Sequence, residues 1–305
     1  MKRRDLLHMT AALGVAASVP RSAPAQSTGD TRSVAAHGMA PNPLRPPADG
    51  HIPVAFLLSK DAVVIDFAGP WEVFENVHVA GPVPHPFLLY TVAETTAPLQ
   101  VGGGMTVVPG YSLVSAPPPK VIVIPAQSEP TEAVIAWIRS ATRSTDLTMS
   151  VCTGAFVLAK TGLLTGKEAT THHGAYAEFA MAFPDIALKR GARFVESGNL
   201  ASSGGLSSGI DLALHVVERY FGREVALHTA DNLEYQGLGW QDANSNRAYA
   251  RSRVSTDQHP LCPVCEMDVD AASAPKSVYR QHVYYFCGEG HKQLFDSAPD
   301  RFVSG

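Results

Sequence analysis

Four cysteines carry most of the covalent and metal chemistry open to this 305-residue chain, and they fall into two groups. Cys152 stands alone, in the run Ser150-Val151-Cys152-Thr153-Gly154. The residues two before and two after it are small, as a sharp strand-to-helix turn requires when it lifts a nucleophile above a sheet. Such a turn also sets the thiol at the N-terminal end of the next helix, where partial positive charge and free N–H groups favour thiolate. The same residue types also suit a buried structural cysteine, a common fate of free cysteine.

The second group is Cys262-Pro-Val-Cys265 followed by Cys287-Gly-Glu-Gly-His291. C-x-x-C then C-x-x-x-H offers thiolate and imidazole at the tight spacing of a soft or borderline metal site, such as zinc or copper(I). A C-x-x-C turn points both sulfurs at one ion. A helix starting at Cys287 places His291 one turn later on the same face. A Cys262–Cys265 disulfide with Cys287 buried is the alternative, in keeping with an oxidising compartment.

The elements that must position these residues follow from apolar patterning. Short apolar runs predict strands over 52–58, 86–94, 120–126 and 147–151, with a short strand and turn over 105–113. Helices are predicted over 69–80, 130–142, 154–164 and 207–222, the last stopped by Gly222. Strands alternating with helices predict an α/β fold, a mainly parallel sheet sandwiched by helices. Cys152 then sits at the carboxyl end of a strand, where such sheets bind ligands.

The N-terminus reads as an address. Arg3 and Arg4 precede a weakly apolar run, and Ala23 and Ala25 fit an A-x-A cleavage site. The expectation is a Tat-type signal over 1–25 and a periplasmic or secreted protein. Residues 26–50 read as a flexible linker, 51–240 as the α/β domain, 241–257 as a second linker and 258–305 as a small cysteine-bearing domain. A net charge of −4 points away from nucleic acid and anionic membrane as partners. The N-terminal apolar run is too short and interrupted to remain as a membrane span.

The blocks "VIDFAGPWEVFE" (64–75), "SVCTGAFVLAKTGLLTGKEATTHH" (150–173) and "VESGNLASSGGLSSGIDLALHVVE" (195–218) resemble the PfpI-like superfamily, with its class I glutamine amidotransferase-like (flavodoxin-like) fold. Within it they are most similar to the isocyanide hydratase branch, and also to sensor domains of some AraC-type regulators. That resemblance implies Cys152 as nucleophile, Asp66 as neighbouring proton carrier and Thr153 as a further site residue. It implies hydration of an isocyanide to an N-formamide through a thioimidate adduct, no cofactor in the catalytic domain, a small-molecule substrate and a homodimer. An aspartate before "xxGP" also suits a helix cap. Two departures stand out. Ala126-Gln127 replace a Gly-Gly pair, and His173 replaces a tryptophan, where it alters the pocket wall or a neighbouring interface, supplies a base near Cys152 or is a hydrogen-bonded structural residue.

The segment 262–303 resembles a YHS domain, which implies that Cys262, Cys265, Cys287 and His291 bind a metal ion, with His291 where a second cysteine is usual. Two other classes of function remain beside the hydratase. One is a non-catalytic periplasmic protein that responds to metal or redox state; the other is a cysteine hydrolase or deglycase-like activity.

Overall fold

The computed structural model describes residues 42–47, 50–251 and 253–303. The predicted signal lies outside the described residues, as does most of the first linker. A seven-stranded sheet forms the centre. Its strands are β1 (Ile52–Leu57), β2 (Phe87–Ala93), β3 (Tyr111–Ser112), β4 (Val121–Ile124), β5 (Leu147–Ser150), β6 (Phe194–Ser197) and β7 (Leu200–Ser203). Their spatial order is β6-β7-β5-β4-β1-β2-β3, parallel throughout except for the β6–β7 pair.

β1 and β4 are continuous apolar runs because both faces of the sheet are covered. On one face lie α1 (Val64–Glu75), α5 (Ser208–Phe221) and α6 (Arg223–Asn232), over a core that includes Val54, Phe56, Val123 and Met149. On the other lie α2 (Glu132–Ala141), α3 (Gly154–Lys160) and α4 (Tyr176–Ala182), over Ala55, Leu57, Ile122 and Ile124. Each buried aliphatic side chain contributes about 1.5–3 kcal/mol relative to exposure. α1 and α5 approach closely because Gly69 faces Ile210, where an added Cβ would lie 2.9 Å from Cγ1.

Three of the boundaries that differ from the sequence expectation have a clear physical reason. α1 starts at Val64, more than a turn before Pro70, which therefore sits inside the helix and cannot donate to the Asp66 carbonyl. α2 starts at Glu132 rather than Pro130, because Thr131 is the N-cap and accepts from the Val134 N–H at 3.3 Å. α3 ends at Lys160, after which the chain turns through Gly162 at φ 75°.

Beyond Trp240 the connecting stretch is pinned to the sheet domain. The Arg193 N–H donates to the Ala243 carbonyl at 2.6 Å, and an Arg193 guanidinium nitrogen donates to Asn246 Oδ1 at 3.1 Å. The tail adds a hairpin, β8 (Lys276–Tyr279) with β9 (His282–Tyr285), and α7 (Glu289–Ser297). Its small core holds Cys262, Val264, Cys265, Phe286 and Phe295, and Met181 of α4 packs against it. Among the described residues, no helix is long and apolar enough to cross a membrane.

Candidate functional site

β5 ends at Ser150 and α3 begins at Gly154, so Cys152 occupies the turn between them. Its φ is 58°, a left-handed conformation uncommon for a residue with a side chain and concentrated at functional sites. The turn is over-determined by its neighbours. The Cys152 N–H donates to the Gly204 carbonyl, and Thr171 Oγ1 donates to the Cys152 carbonyl, both at 2.9 Å. Gly154 has no room for a side chain, since an added Cβ would lie 2.2 Å from the Ile124 carbonyl oxygen. The small residues around the cysteine thus answer to the geometry expected of an elbow.

The Cys152 sulfur is offered donors suited to a thiolate: the N–H groups of Thr153 and Leu206 and the Thr153 hydroxyl. They do not prevail. Burial, reinforced by the nearby Asp66 carboxylate, pushes the thiol up to about 12. The resting group is therefore a thiol. Against the expectation from the helix N-terminus, desolvation of a residue 8% exposed outweighs the three donors and favours the neutral form.

Asp66 lies in the first turn of α1, fully buried, and does not cap the helix; the N-cap is Val63. Its Oδ2 accepts from the Ala126 N–H at 3.1 Å. Its Oδ1 is buried without a hydrogen bond of full geometry. Burial lifts the carboxyl from 3.8 to about 7, against the Ala126 N–H and the Cys152 thiol, which both favour the ionised form. Asp66 and Cys152 thus sense each other directly, and negative charge on one raises the cost of charge on the other. The structure brings together Asp66, Cys152 and Thr153, named from sequence, and adds the Leu206 amide. Leu206, at φ 49°, lies inside the glycine- and serine-rich run 202–209; that composition was the one visible signal of its strained loop.

The two departures have distinct consequences. Neither Ala126 nor Gln127 has a positive φ, so the missing glycines create no backbone strain. Ala126 supplies the N–H that holds Asp66, and Gln127 Oε1 accepts from the Ser59 N–H at 2.6 Å. His173 is not placed as a base for Cys152. It stacks on Tyr249 at 4.5 Å, and burial followed by Arg253 holds its pKa down, opposed by Asp268 and Glu266. It belongs to the contact between the sheet domain and the tail. His172 packs beside Gly205 instead, where an added Cβ would lie 2.2 Å from its Cδ2, and its Nδ1 accepts from the Gly174 N–H at 3.1 Å.

In the tail, the ligand atoms of Cys262, Cys265, Cys287 and His291 all lie within 4.8 Å of one another. All three sulfurs are free thiols rather than a disulfide. Tetrahedral zinc with bonds of about 2.3 Å to sulfur and 2.0–2.1 Å to nitrogen requires ligand separations of about 3.6–3.8 Å. Cys265 Sγ and Cys287 Sγ are 3.6 Å apart, Cys262 Sγ and His291 Nδ1 3.7 Å, and Cys287 Sγ and His291 Nδ1 3.0 Å. Backbone N–H groups of Val264, Cys265 and Cys287 point at Cys262 Sγ, and that of Met267 at Cys265 Sγ. A hydrogen bond from the Cys265 thiol draws the Cys262 thiol down and drives Cys265 up, so Cys262 is the more readily ionised of the two. The donor types fit one soft or borderline metal ion; the Cys265–Cys287 and Cys262–His291 separations already match the tetrahedral value, and the Cys287–His291 pair is closer than it.

Two cavities open at the carboxyl edge of the sheet. One of about 260 Å³ is lined by Gln127, Thr153, Phe156 and Lys160 among others; Cys152 itself is not in its wall. The other, of about 380 Å³, shares Ser128 and Glu129 with it and runs toward Leu58 and Ala93.

Comparison with known proteins bears on the fold and the family. Isonitrile hydratase of Pseudomonas putida is 30% identical over 187 residues, covering 60% of this chain and 78% of that one. The HTH-type transcriptional regulator CdhR of Pseudomonas aeruginosa is 28% identical over 148 residues, covering 47% of this chain and 44% of the regulator. Among solved structures, a THiJ/PfpI family protein from Pseudomonas syringae superposes with a TM-score of 0.55 at 22% identity, over 67% of this chain and 85% of that one. Drosophila melanogaster DJ-1beta superposes at 0.53 with 19% identity, over 61% of this chain and all of that one. Residues 53–219, more than half the chain, match the DJ-1/PfpI family, and the chain belongs to that family.

Proposed function

We propose that the sheet domain is a cysteine-dependent enzyme similar to isonitrile hydratase, adding water to an isocyanide to give an N-formamide. The observation that carries this reading is a buried carboxyl with a pKa near 7 directly beside a neutral thiol at a strained elbow. Ionised Asp66 takes the Cys152 proton as sulfur attacks the terminal isocyanide carbon. The new S–C bond leaves that carbon basic, and Asp66 returns the proton to it, giving a thioimidate. Water then adds to the same carbon, the C–S bond breaks with Cys152 regaining a proton, and the enol-like product becomes the formamide. Both chemical steps need a soft nucleophile and a proton carrier that exchanges near neutral pH. Thr153 and Leu206 supply donors that steady negative charge on sulfur as it develops.

The tail, in this reading, holds one zinc or copper(I) ion on Cys262, Cys265, Cys287 and His291, as expected of a YHS-like domain. The protein is exported through its twin-arginine leader and works as a homodimer. Isocyanide consumption and formamide appearance, followed with an aromatic isocyanide for the natural chain, Cys152→Ala and Asp66→Ala, test the activity. Formamide production lost in both variants supports it; no turnover by the natural chain ends it. A second reading, a non-catalytic ligand- or metal-responsive protein, draws support from the similarity to transcriptional regulators and from the high thiol pKa.

A further inference from the structure

Leu206 offers its N–H to the Cys152 sulfur from a left-handed conformation, φ 49°, that is costly for a residue with a side chain. Such a conformation persists only where its surroundings over-determine it. Part of that support comes from chain beyond the family's own segment. Gly204 and Gly205, which lead into Leu206, are each packed too tightly to carry a side chain. An added Cβ on Gly204 would lie 2.6 Å from Asn246 Nδ2, and one on Gly205 would lie 2.2 Å from His172 Cδ2. Asn246 is buried, and its Oδ1 accepts from the Arg193 guanidinium at 3.1 Å. Arg193 in turn grips the loop at two points. Its carbonyl accepts from the Gly204 N–H at 2.9 Å, and its guanidinium donates to Ser207 Oγ at 3.0 Å. On the other side, the His172 ring lies 4.4 Å from that of His173, which stacks on Tyr249 at 4.5 Å. Asn246 and Tyr249 are the two ends of one turn, closed by the Tyr249 N–H on the Asn246 carbonyl at 2.8 Å. That turn lies beyond residues 53–219, which match the family.

We infer that the turn from Asn246 to Tyr249 is a positioning element for the cysteine elbow: it clamps the Gly204–Leu206 loop from both sides and keeps the Leu206 N–H aimed at the Cys152 sulfur. Asn246 acts through Gly204 and Arg193, and Tyr249 acts through His173 and His172; neither is a catalytic residue. The loop meets Cys152 twice, because the Gly204 carbonyl also accepts the Cys152 N–H. A hydrogen bond to an ionised group is stronger than one to its neutral form, so loss of the Leu206 donor weakens the thiolate more than the resting thiol. Loosening the loop therefore has two separable effects. Losing the donor makes the sulfur less reactive, whereas simply opening the elbow makes it more accessible and faster to modify.

Alkylation by iodoacetamide reads the sulfur directly and does not rest on the hydratase reading. In the full-length protein, modification of the Cys152 peptide is followed by mass spectrometry across the range from neutral to mildly alkaline pH, with the tail cysteines counted on their own peptides. Asn246→Ala and Tyr249→Ala are each expected to slow Cys152 alkylation by about threefold or more at every pH, because the thiolate loses a donor. Tyr249→Phe keeps the stacked ring and is expected to stay within about twofold of the natural chain. Unchanged or faster alkylation in either alanine variant overturns the inference, as does a slowing in Tyr249→Phe equal to that in Tyr249→Ala. Should Asn246→Ala not fold, Tyr249→Ala decides alone, since Tyr249 is half-exposed. With an aromatic isocyanide, the alanine variants should lose kcat with KM little changed. If the natural chain hydrates no isocyanide, the hydratase reading falls and alkylation still decides this one.

Discussion

Thr171 donates its hydroxyl to the carbonyl oxygen of Cys152 at 2.9 Å, from a segment that also meets the tail. Thr170 N–H donates to Ser202 Oγ at 2.8 Å, His172 packs beside Gly205, and His173 stacks on Tyr249. Gly174 then lies beside Met267, whose backbone N–H points at Cys265 Sγ. Five successive residues, Thr170 to Gly174, therefore support the elbow on one side and the tail on the other.

The Thr171 bond gives the first prediction. Thr171→Val preserves shape but leaves the Cys152 carbonyl at the strained turn with only the long 3.4 Å bond from the Ala155 N–H, at a cost of about 0.5–1.5 kcal/mol. Thermal unfolding should show the loss, and formamide production should fall with it. Unchanged stability would mean that the elbow does not depend on this contact.

Asp66 sets the expected pH dependence. As acceptor of the thiol proton it must be ionised, so kcat/KM should rise with pH through about 7 and fall below it. Asp66→Asn should lower kcat by about 10²–10⁴-fold and abolish that inflection. A flat profile between pH 5 and 9 in the natural chain would remove Asp66 from the proton path.

The same carboxyl predicts an opposite effect on stability. Its folded pKa is raised from 3.8 to about 7, so the folded state holds the proton more tightly than the unfolded chain. That contribution is fully present below about 4 and lost as pH rises through about 7. Asp66→Asn, which cannot ionise, should therefore gain stability over the natural chain as pH rises across this window and no further above it. Denaturant melts at pH 4, 6 and 8 would reveal the trend, a trade of stability for function at one buried group.

The elbow was legible in sequence because its demands are local: small residues on either side of Cys152 follow from sterics alone. The sheet order was not, since which strands neighbour one another is decided by packing across the chain. The β6–β7 hairpin escaped notice because its four-residue strands are rich in Ser and Glu and turn through Gly198 at φ 69°. Pro70 misled for another reason. Proline usually marks a helix start, yet burial of Asp66, Phe67 and Val73 on one face stabilises a helix that runs through it. His173 looked able to serve Cys152 because spacing along the chain does not say which way a ring points. The tail cluster was legible because C-x-x-C and C-x-x-x-H are short-range patterns. Its docking on Met181 and Arg190 was not, because neither residue signals a partner in sequence.

The last prediction concerns that tail. Its described core is small, five buried residues of which two are the cysteines Cys262 and Cys265. A domain of this size gains much of its stability from a bound ion where ligands are available. Metal analysis of the full-length protein should give one zinc or copper per chain, falling at least tenfold in Cys262→Ser and in His291→Ala. Binding at a hundredfold excess over Kd stabilises a fold by about 2.7 kcal/mol, so chelation should lower the unfolding temperature of the tail. Cys152→Ala should retain the metal, because Cys152 lies outside the cluster. Equal metal content in the natural chain and Cys262→Ser would show that these four residues do not form the ligand set, whatever their spacing.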